Sequence, residues 1–279
     1  MSDETFIKKS NFIFESRRTE FKDMNLGIDR MSLAIDAMGN PCKRTPAIHI
    51  AGTNGKGSIA AFINGVLSLV NIKTGVTTSP HLVDWFERIC INKTQISKEE
   101  FQSLSMNLAP IAKKYGLTTF ECVFAMALKY FNSKEVELLI LEVGLGGRLD
   151  ATTAHKYRPI IAFGAIDLDH CEYLGNSLEK VAIEKAAIIT SNSTVITAVQ
   201  HDTVKRVLEE TAIRQKAVIH WVDPLPSDWE LGLSGAIQKE NAAVAKGVIE
   251  SLKNIGWSIS EDQIREGLSL AEWPGRLQK

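Results

Sequence analysis

The strongest constraint on the fold is an alternation along the chain. Short β-rich runs lie at 47–51, 74–78, 136–143, 159–166, 193–199 and 217–222, separated by helical patterns at 57–70, 98–115, 120–132, 178–190 and 202–215. Strands that are apolar throughout must be covered on both faces, and a helix between consecutive strands supplies the crossover that parallel pairing needs. The alternation therefore predicts an α/β fold, a mostly parallel sheet flanked by helices. Two more amphipathic helices follow at about 238–255 and 261–271, the second opened by Ser260 as its N-cap. The chain carries no internal repeat and no low-complexity segment.

Composition narrows the class. Of 279 residues, 44% are hydrophobic, enough for one large core or two small ones. With 32 basic and 33 acidic side chains, the net charge of −1 argues against wholesale binding to nucleic acid or an anionic membrane. Cys42, Cys90, Cys122 and Cys171 stand far apart without CxxC spacing, which suits reduced thiols better than a zinc site or a disulfide framework. MSDETFIKKS lacks the order of a secretory signal, and no apolar run approaches the ~18 residues of a membrane span. A soluble cytoplasmic protein is expected.

In open parallel sheets, ligands bind beyond the carboxyl ends of the strands, where loops and helix N-termini share one crevice. Four segments are expected on that rim: GTNGKGS (52–58), SPHL (79–82), Glu142 with GLGGRLDAT (144–152), and DLDH (167–170). In the first, the amides of Asn54, Gly55, Lys56, Gly57 and Ser58 are suited to wrap a phosphate chain at a helix N-terminus, with Lys56 balancing the outer charge. The strict GxxxxGK[ST] pattern is not met, because Ile50 replaces its first glycine and Gly57 separates Lys56 from Ser58. A plain glycine-rich turn is the alternative.

Nucleoside triphosphates arrive with Mg²⁺, a hard cation that takes oxygen ligands. Ser79 and Glu142 supply a hydroxyl and a carboxylate, whereas His170 is a softer donor than Mg²⁺ prefers and on chemistry alone suits a second metal or Mn²⁺. A turn serine, a solvated carboxylate and an ordinary loop histidine are the plainer readings. Lys185, on a mostly apolar helix, becomes reactive if burial lowers its pKa.

Taken together, HIAGTNGKGS, GVTTSPHLVDWFERICIN, TTFE, LEVGLGGRLDAT, LDHCEYLG, EKVAIEKAAII and WPGRLQ resemble the folylpolyglutamate synthase and dihydrofolate synthase family, within the Mur ligase superfamily. The likeness runs from Leu26 to the end of the chain. It implies a P-loop type Mur-ligase central domain and an ATP-dependent carboxylate–amine ligase. By resemblance, GTNGKGS holds ATP; Ser79, Glu142 and His170 bind divalent metal; and Lys185 is a carbamylated lysine that, with Lys56 and His170, serves catalysis. Thr118, Thr119, Phe120, Glu121, Leu149, Asp150 and Ala151 would line the pteroate or folate site, Asn241 would approach adenine, and Arg276 the phosphates. L-glutamate is the implied second substrate, Mg²⁺ the implied cofactor, and a monomer the implied state.

Ala187 and Ile183 depart mildly from the family pattern. Relatives also continue into a smaller α/β domain, so residues 1–279 are expected to form the ATP-binding domain with the C-terminal ligase domain absent from this chain. Two other readings remain: a non-catalytic module that binds nucleotide or pteroate, and a P-loop kinase or generic NTPase.

Overall fold

Why the apolar runs become strands and not helices is a matter of length and branching. Runs of four or five residues rich in Ile, Val and Leu are too short for a stable helix and pack well when pleated. The computed structural model describes residues 27–273. In chain order its elements are α1 (Asp29–Ala37), β1 (Ala47–Ala51), α2 (Lys56–Leu69), β2 (Thr74–Thr77), β3 (Ile89–Ile91), β4 (Thr94–Gln95), α3 (Lys98–Tyr115) and α4 (Thr119–Ser133). Then come β5 (Leu138–Glu142), β6 (Ile160–Phe163), α5 (Cys171–Leu174), α6 (Leu178–Ala186), β7 (Thr194–Ala198), α7 (Asp202–Gln215), β8 (Val218–Val222), α8 (Gln238–Ser251) and α9 (Glu261–Ser269).

All eight strands form one sheet in the order β4-β3-β2-β5-β1-β6-β7-β8. From β2 to β8 the neighbours pair in parallel, while β3 and β4 add an antiparallel edge. Every predicted strand and helix is present: 47–51, 98–115 and 202–215 match in full, the 120–132 helix gains a residue at each end, and the other boundaries shift or shorten. Helix α6 stops at Ala186, because Ile188 and Ile189 leave the helical path to enter the core. Helix α8 tightens into a 3₁₀ turn over Leu252–Ile255, which Gly256 ends at φ 104°. Ser260 does cap α9, through a reciprocal capping box with Gln263. The sequence reading lacked α1, β3, β4 and the short α5.

Three apolar clusters cover the sheet. Ile48, Ile50, Leu138, Ile140 and Ile160 face α2, α8 and α9. On the opposite face, Ala47, Leu139 and Leu141 pack with α1, α3 and α4. Ala51, Ile161, Phe163 and Val195 pack there with α6 and α7. The chain leaves β1 towards β2 on one side, and later crosses from β5 to β6 on the other. The carboxyl end of β1 is therefore the topological switch point at which a crevice opens.

Candidate active site

The loop from β1 into α2 is shaped by two glycines, Gly52 at φ 145° and Gly55 at φ 85°. Side chains rarely reach either conformation, so glycine is the residue that lets the turn close. Backbone contacts then pin the loop to its neighbour. The amides of Thr53 and Asn54 both donate to the Ala165 carbonyl, at 2.8 and 3.1 Å, and the Thr53 hydroxyl donates to the Asp167 carbonyl at 2.8 Å. Gln200 braces the far side, donating to the Gly164 carbonyl and accepting from the Ile166 amide, each at 3.0 Å. Helix α2 starts at Gly55 with no side-chain cap and no acidic residue in its first turn. Such an end favours an anion.

Two lysines meet over this loop. Lys56 folds back, its Nζ donating to the carbonyls of Gly52 at 3.0 Å and Thr53 at 3.2 Å. Lys185, on α6, also donates to the Gly52 carbonyl at 3.0 Å, from a position only 3% exposed. Burial first, and the Lys56 charge second, lower the Lys185 pKa to about 8, with Asp169 and Asp150 pulling the other way. Near pH 8, about half of such amines are neutral.

Glu142 ends β5 and is 5% exposed. Its Oε2 accepts from the Ser79 amide at 3.1 Å, next to the cis Ser79–Pro80 peptide bond. Ser79 and Glu142, 63 residues apart in sequence, thus stand together. His170 adopts φ 45° and lies with its Nε2 3.6 Å from Asp169 Oδ2. Among the described residues, no group of three or more His, Cys, Asp or Glu side chains is arranged to hold a metal by itself. A carboxylate and a hydroxyl at one rim suit a cation that takes most of its oxygens from phosphate and water, as Mg²⁺ does.

The residues expected on the acceptor side also come together. Thr118 and Glu121 form a capping box at the start of α4, and Arg30 Nε donates to Glu121 Oε2 at 2.8 Å. The Phe120 ring lies so close to Gly144 that a Cβ there would stand 2.7 Å from Phe120 Cζ and 3.2 Å from Asp150 Oδ2. Asp150 is turned inward, accepting from the amides of Gly144 and Leu145 at 3.0 Å each and Thr152 at 2.9 Å. Burial raises its pKa against those hydrogen bonds. Leu149 and Ala151 flank it, and Thr119 precedes Phe120.

Asn241 on α8 reaches the loop, since a Cβ on Gly55 would lie 2.3 Å from Asn241 Oδ1. Gly57 and Ser58 are buried at the start of α2, and a Cβ on Gly57 would lie 3.0 Å from the Trp273 ring. Asn54 is exposed. Arg276 lies outside the described residues.

Several contributors were not read from the sequence. Glu87 accepts from the amides of Leu82, Val83 and Asp84 and so shapes the segment after SPHL. Burial pushes its carboxyl up, but those amides and His81 outweigh it, leaving the pKa below the ordinary range. The spacing of Asp84 and Glu87 is that of a capping box, the signal that would have found it. No comparable signal marks Gln200, His49 or Arg158.

No family model matches the chain. It is 33% identical over 276 residues to a dihydrofolate synthetase of Saccharomyces cerevisiae, covering 92% of this chain and 65% of that protein. It is 35% identical over 285 residues to a dihydrofolate synthase/folylpolyglutamate synthase of Bacillus subtilis, covering 90% and 66%. A structure of Mycobacterium tuberculosis folylpolyglutamate synthase complexed with ADP and AMPPCP superposes with a TM-score of 0.85 at 30% identity, over 92% of this chain and 65% of that one. The chain thus spans about two thirds of the length of these relatives. Among the described residues, no helix is long and apolar enough to cross a membrane. Similarity in sequence and in fold over at least 90% of its length shows that this chain belongs to the dihydrofolate synthase/folylpolyglutamate synthase family.

Proposed function

We propose that this chain is the ATP-binding domain of a carboxylate–amine ligase that joins L-glutamate to dihydropteroate, to a folate, or to both. The observation that carries the reading is the convergence of Lys56 and Lys185 on one carbonyl of a loop at the switch point, beside the Ser79–Glu142 pair. Such a loop holds phosphate through its amides, and Lys56 needs only to turn from Gly52 and Thr53 to meet the outer phosphates. The reaction transfers the γ-phosphoryl group of ATP to a substrate carboxylate. The amine of glutamate then attacks the acyl phosphate, giving an amide, ADP and phosphate.

Mg²⁺, held by Glu142, Ser79 and His170, would offset charge on the phosphates. Lys185 is suited to carbamylation: its neutral amine adds to CO₂ and loses a proton, so a cation becomes an oxygen donor. Phe120 offers a flat face beside the 144–150 loop, suited to a heterocyclic acceptor. Asn241, which lies against Gly55, is assigned to the base of the nucleotide, and Arg276 to its phosphates. Near-neutral net charge and free cysteines are consistent with a cytoplasmic protein that acts on small molecules, without nucleic-acid or membrane partners, and the monomer is what the family resemblance implies.

Phosphate release from ATP tests this. The ligase reading expects release that needs both glutamate and a pteroate or folate, with loss of nucleotide binding by roughly tenfold or more in Lys56→Ala. Nucleotide binding without turnover would favour the non-catalytic module. Turnover with an alcohol acceptor alone would favour a kinase.

A further inference from the structure

Pleating sends Ile48 and Ile50 of β1 to one face of the sheet, and Ala47, His49 and Ala51 to the other. There, Ala47 belongs to the cluster of α3 and α4, and Ala51 to that of α6 and α7. His49 therefore stands at a seam between two apolar clusters, fully buried. An imidazole in such a place needs partners for both nitrogens.

It has them. Arg158 Nη1 lies 2.9 Å from His49 Nδ1, and Thr152 Oγ1 lies 2.8 Å from His49 Nε2. A guanidinium only donates, so Nδ1 accepts and the ring hydrogen sits on Nε2. His49 accordingly donates to Thr152, the Thr152 hydroxyl donates to Asp150 Oδ1, and Asp150 Oδ2 accepts the amides of Gly144 and Leu145. The reverse order would make both ring nitrogens acceptors, which a neutral imidazole does not allow. Burial, then the charges of Arg158 and His155, hold the His49 pKa well below its ordinary value, in keeping with a neutral ring.

We propose that His49, Thr152 and Arg158 are positioning residues: a one-way hydrogen-bond relay beneath the sheet's carboxyl rim holds Asp150 on the Gly144 and Leu145 amides, and so sets the loop against Phe120. The relay joins parts of the chain 103 and 109 residues apart. It ends on consecutive amides of one loop, two residues after Glu142 closes β5. An apolar seam would cost less desolvation than this buried polar chain, so stability alone does not account for it. Only the kinetic part of the test rests on the ligase reading.

Nuclear magnetic resonance on the whole chain tests the relay directly. His49 is expected to keep its hydrogen on Nε2 from about pH 5 to pH 8. Thr152→Val, which removes the hydroxyl at nearly constant shape, is expected to speed exchange of the Gly144 and Leu145 amides by about tenfold while β7 amides keep their rate. Thr152→Ser restores the slow exchange. If Thr152→Val does not fold, Arg158→Met carries the test, because it frees His49 Nδ1 to hold the ring hydrogen, Nε2 then competes with Asp150 for the Thr152 hydroxyl, and the same faster exchange at Gly144 and Leu145 is expected. A ring hydrogen on Nδ1 in the unmodified chain, or unchanged exchange at Gly144 and Leu145 or equal loosening of β7 in the variants, would overturn the proposal. With the ligase reaction in hand, Thr152→Val is expected to raise KM for the pteroate or folate by about tenfold and to leave KM for ATP within about twofold. A Tm loss with both KM values unchanged would mark a purely structural role and overturn it. Absence of ligation in the unmodified chain, with the exchange result as expected, supports the relay and counts against the ligase reading alone.

Discussion

A methyl group added at Gly164 would stand 2.2 Å from the Asn54 carbonyl oxygen, a backbone atom of the 52–58 loop. Nothing flexible can absorb that contact, so Gly164→Ala is expected to displace the loop, lowering stability by about 1–3 kcal/mol and weakening nucleotide binding in the same protein. Gly39→Ala is the contrast, since its φ of 83° is strained for alanine but the space around it is open. About 1 kcal/mol of stability and no change in nucleotide affinity are expected there. Urea melts and titration calorimetry of the two variants check both effects, and equal binding losses would refute the assignment. Charge at the residue scale is tested at Lys185. The nearby Lys56 charge helps to lower its pKa to about 8, so Lys56→Ala should move carbamate formation from ¹³C-bicarbonate to higher pH. A carbamate signal that ignores the Lys56 substitution, or survives Lys185→Met, would count against this coupling.

At the scale of elements, Glu121 ties two helices together. It closes the capping box of α4 with Thr118, and it accepts from Arg30 of α1 while only 3% exposed. Glu121→Ala removes the acceptor that serves both the capping box and Arg30, so it is expected to cost about 1–2 kcal/mol, read from denaturant midpoints. Glu121→Gln, which keeps acceptors for the box, should cost less. A Glu121→Ala protein of unchanged stability but poorer acceptor binding would instead make Glu121 a substrate contact. The elements legible in the sequence were those with a strong period. Six parallel strands announced themselves as short β-rich runs, and α3 as a helical pattern over 98–115. Helix α1 did not, because Ile28 precedes it without a side-chain cap. Strands β3 and β4 hold three and two residues, too few for any alternation to be visible. The rim loops could be grouped from topology alone, since parallel strands send their carboxyl ends one way. The relay through His49 could not, because its contacts join residues about a hundred positions apart and follow no local spacing.

On the scale of the whole molecule, the same division into clusters decides the response to acid. Two histidines are buried, His49 of β1 fully and His155 to 4% exposure, the latter with Nε2 3.0 Å from the Thr45 carbonyl. Burial lowers the pKa of both, that of His155 from 6.5 to about 4. Below pH 6.5 the unfolded chain takes up a proton at each site that the folded chain refuses, so stability rises with pH across this window and is lost as pH falls. His155 alone accounts for about 3 kcal/mol between its two pKa values. Asp150 acts in the opposite sense, because burial raises its pKa and the folded state then holds the extra proton as pH drops. Comparison with a variant isolates the histidine from that opposing term. Urea unfolding at intervals from about pH 7 to pH 4 should show wild-type stability falling more steeply than that of His155→Gln, whose amide can still donate to Thr45 but carries no titrating ring. Parallel curves for the two proteins would mean that His155 titrates alike when folded and unfolded, and that its burial is not what limits the fold in acid.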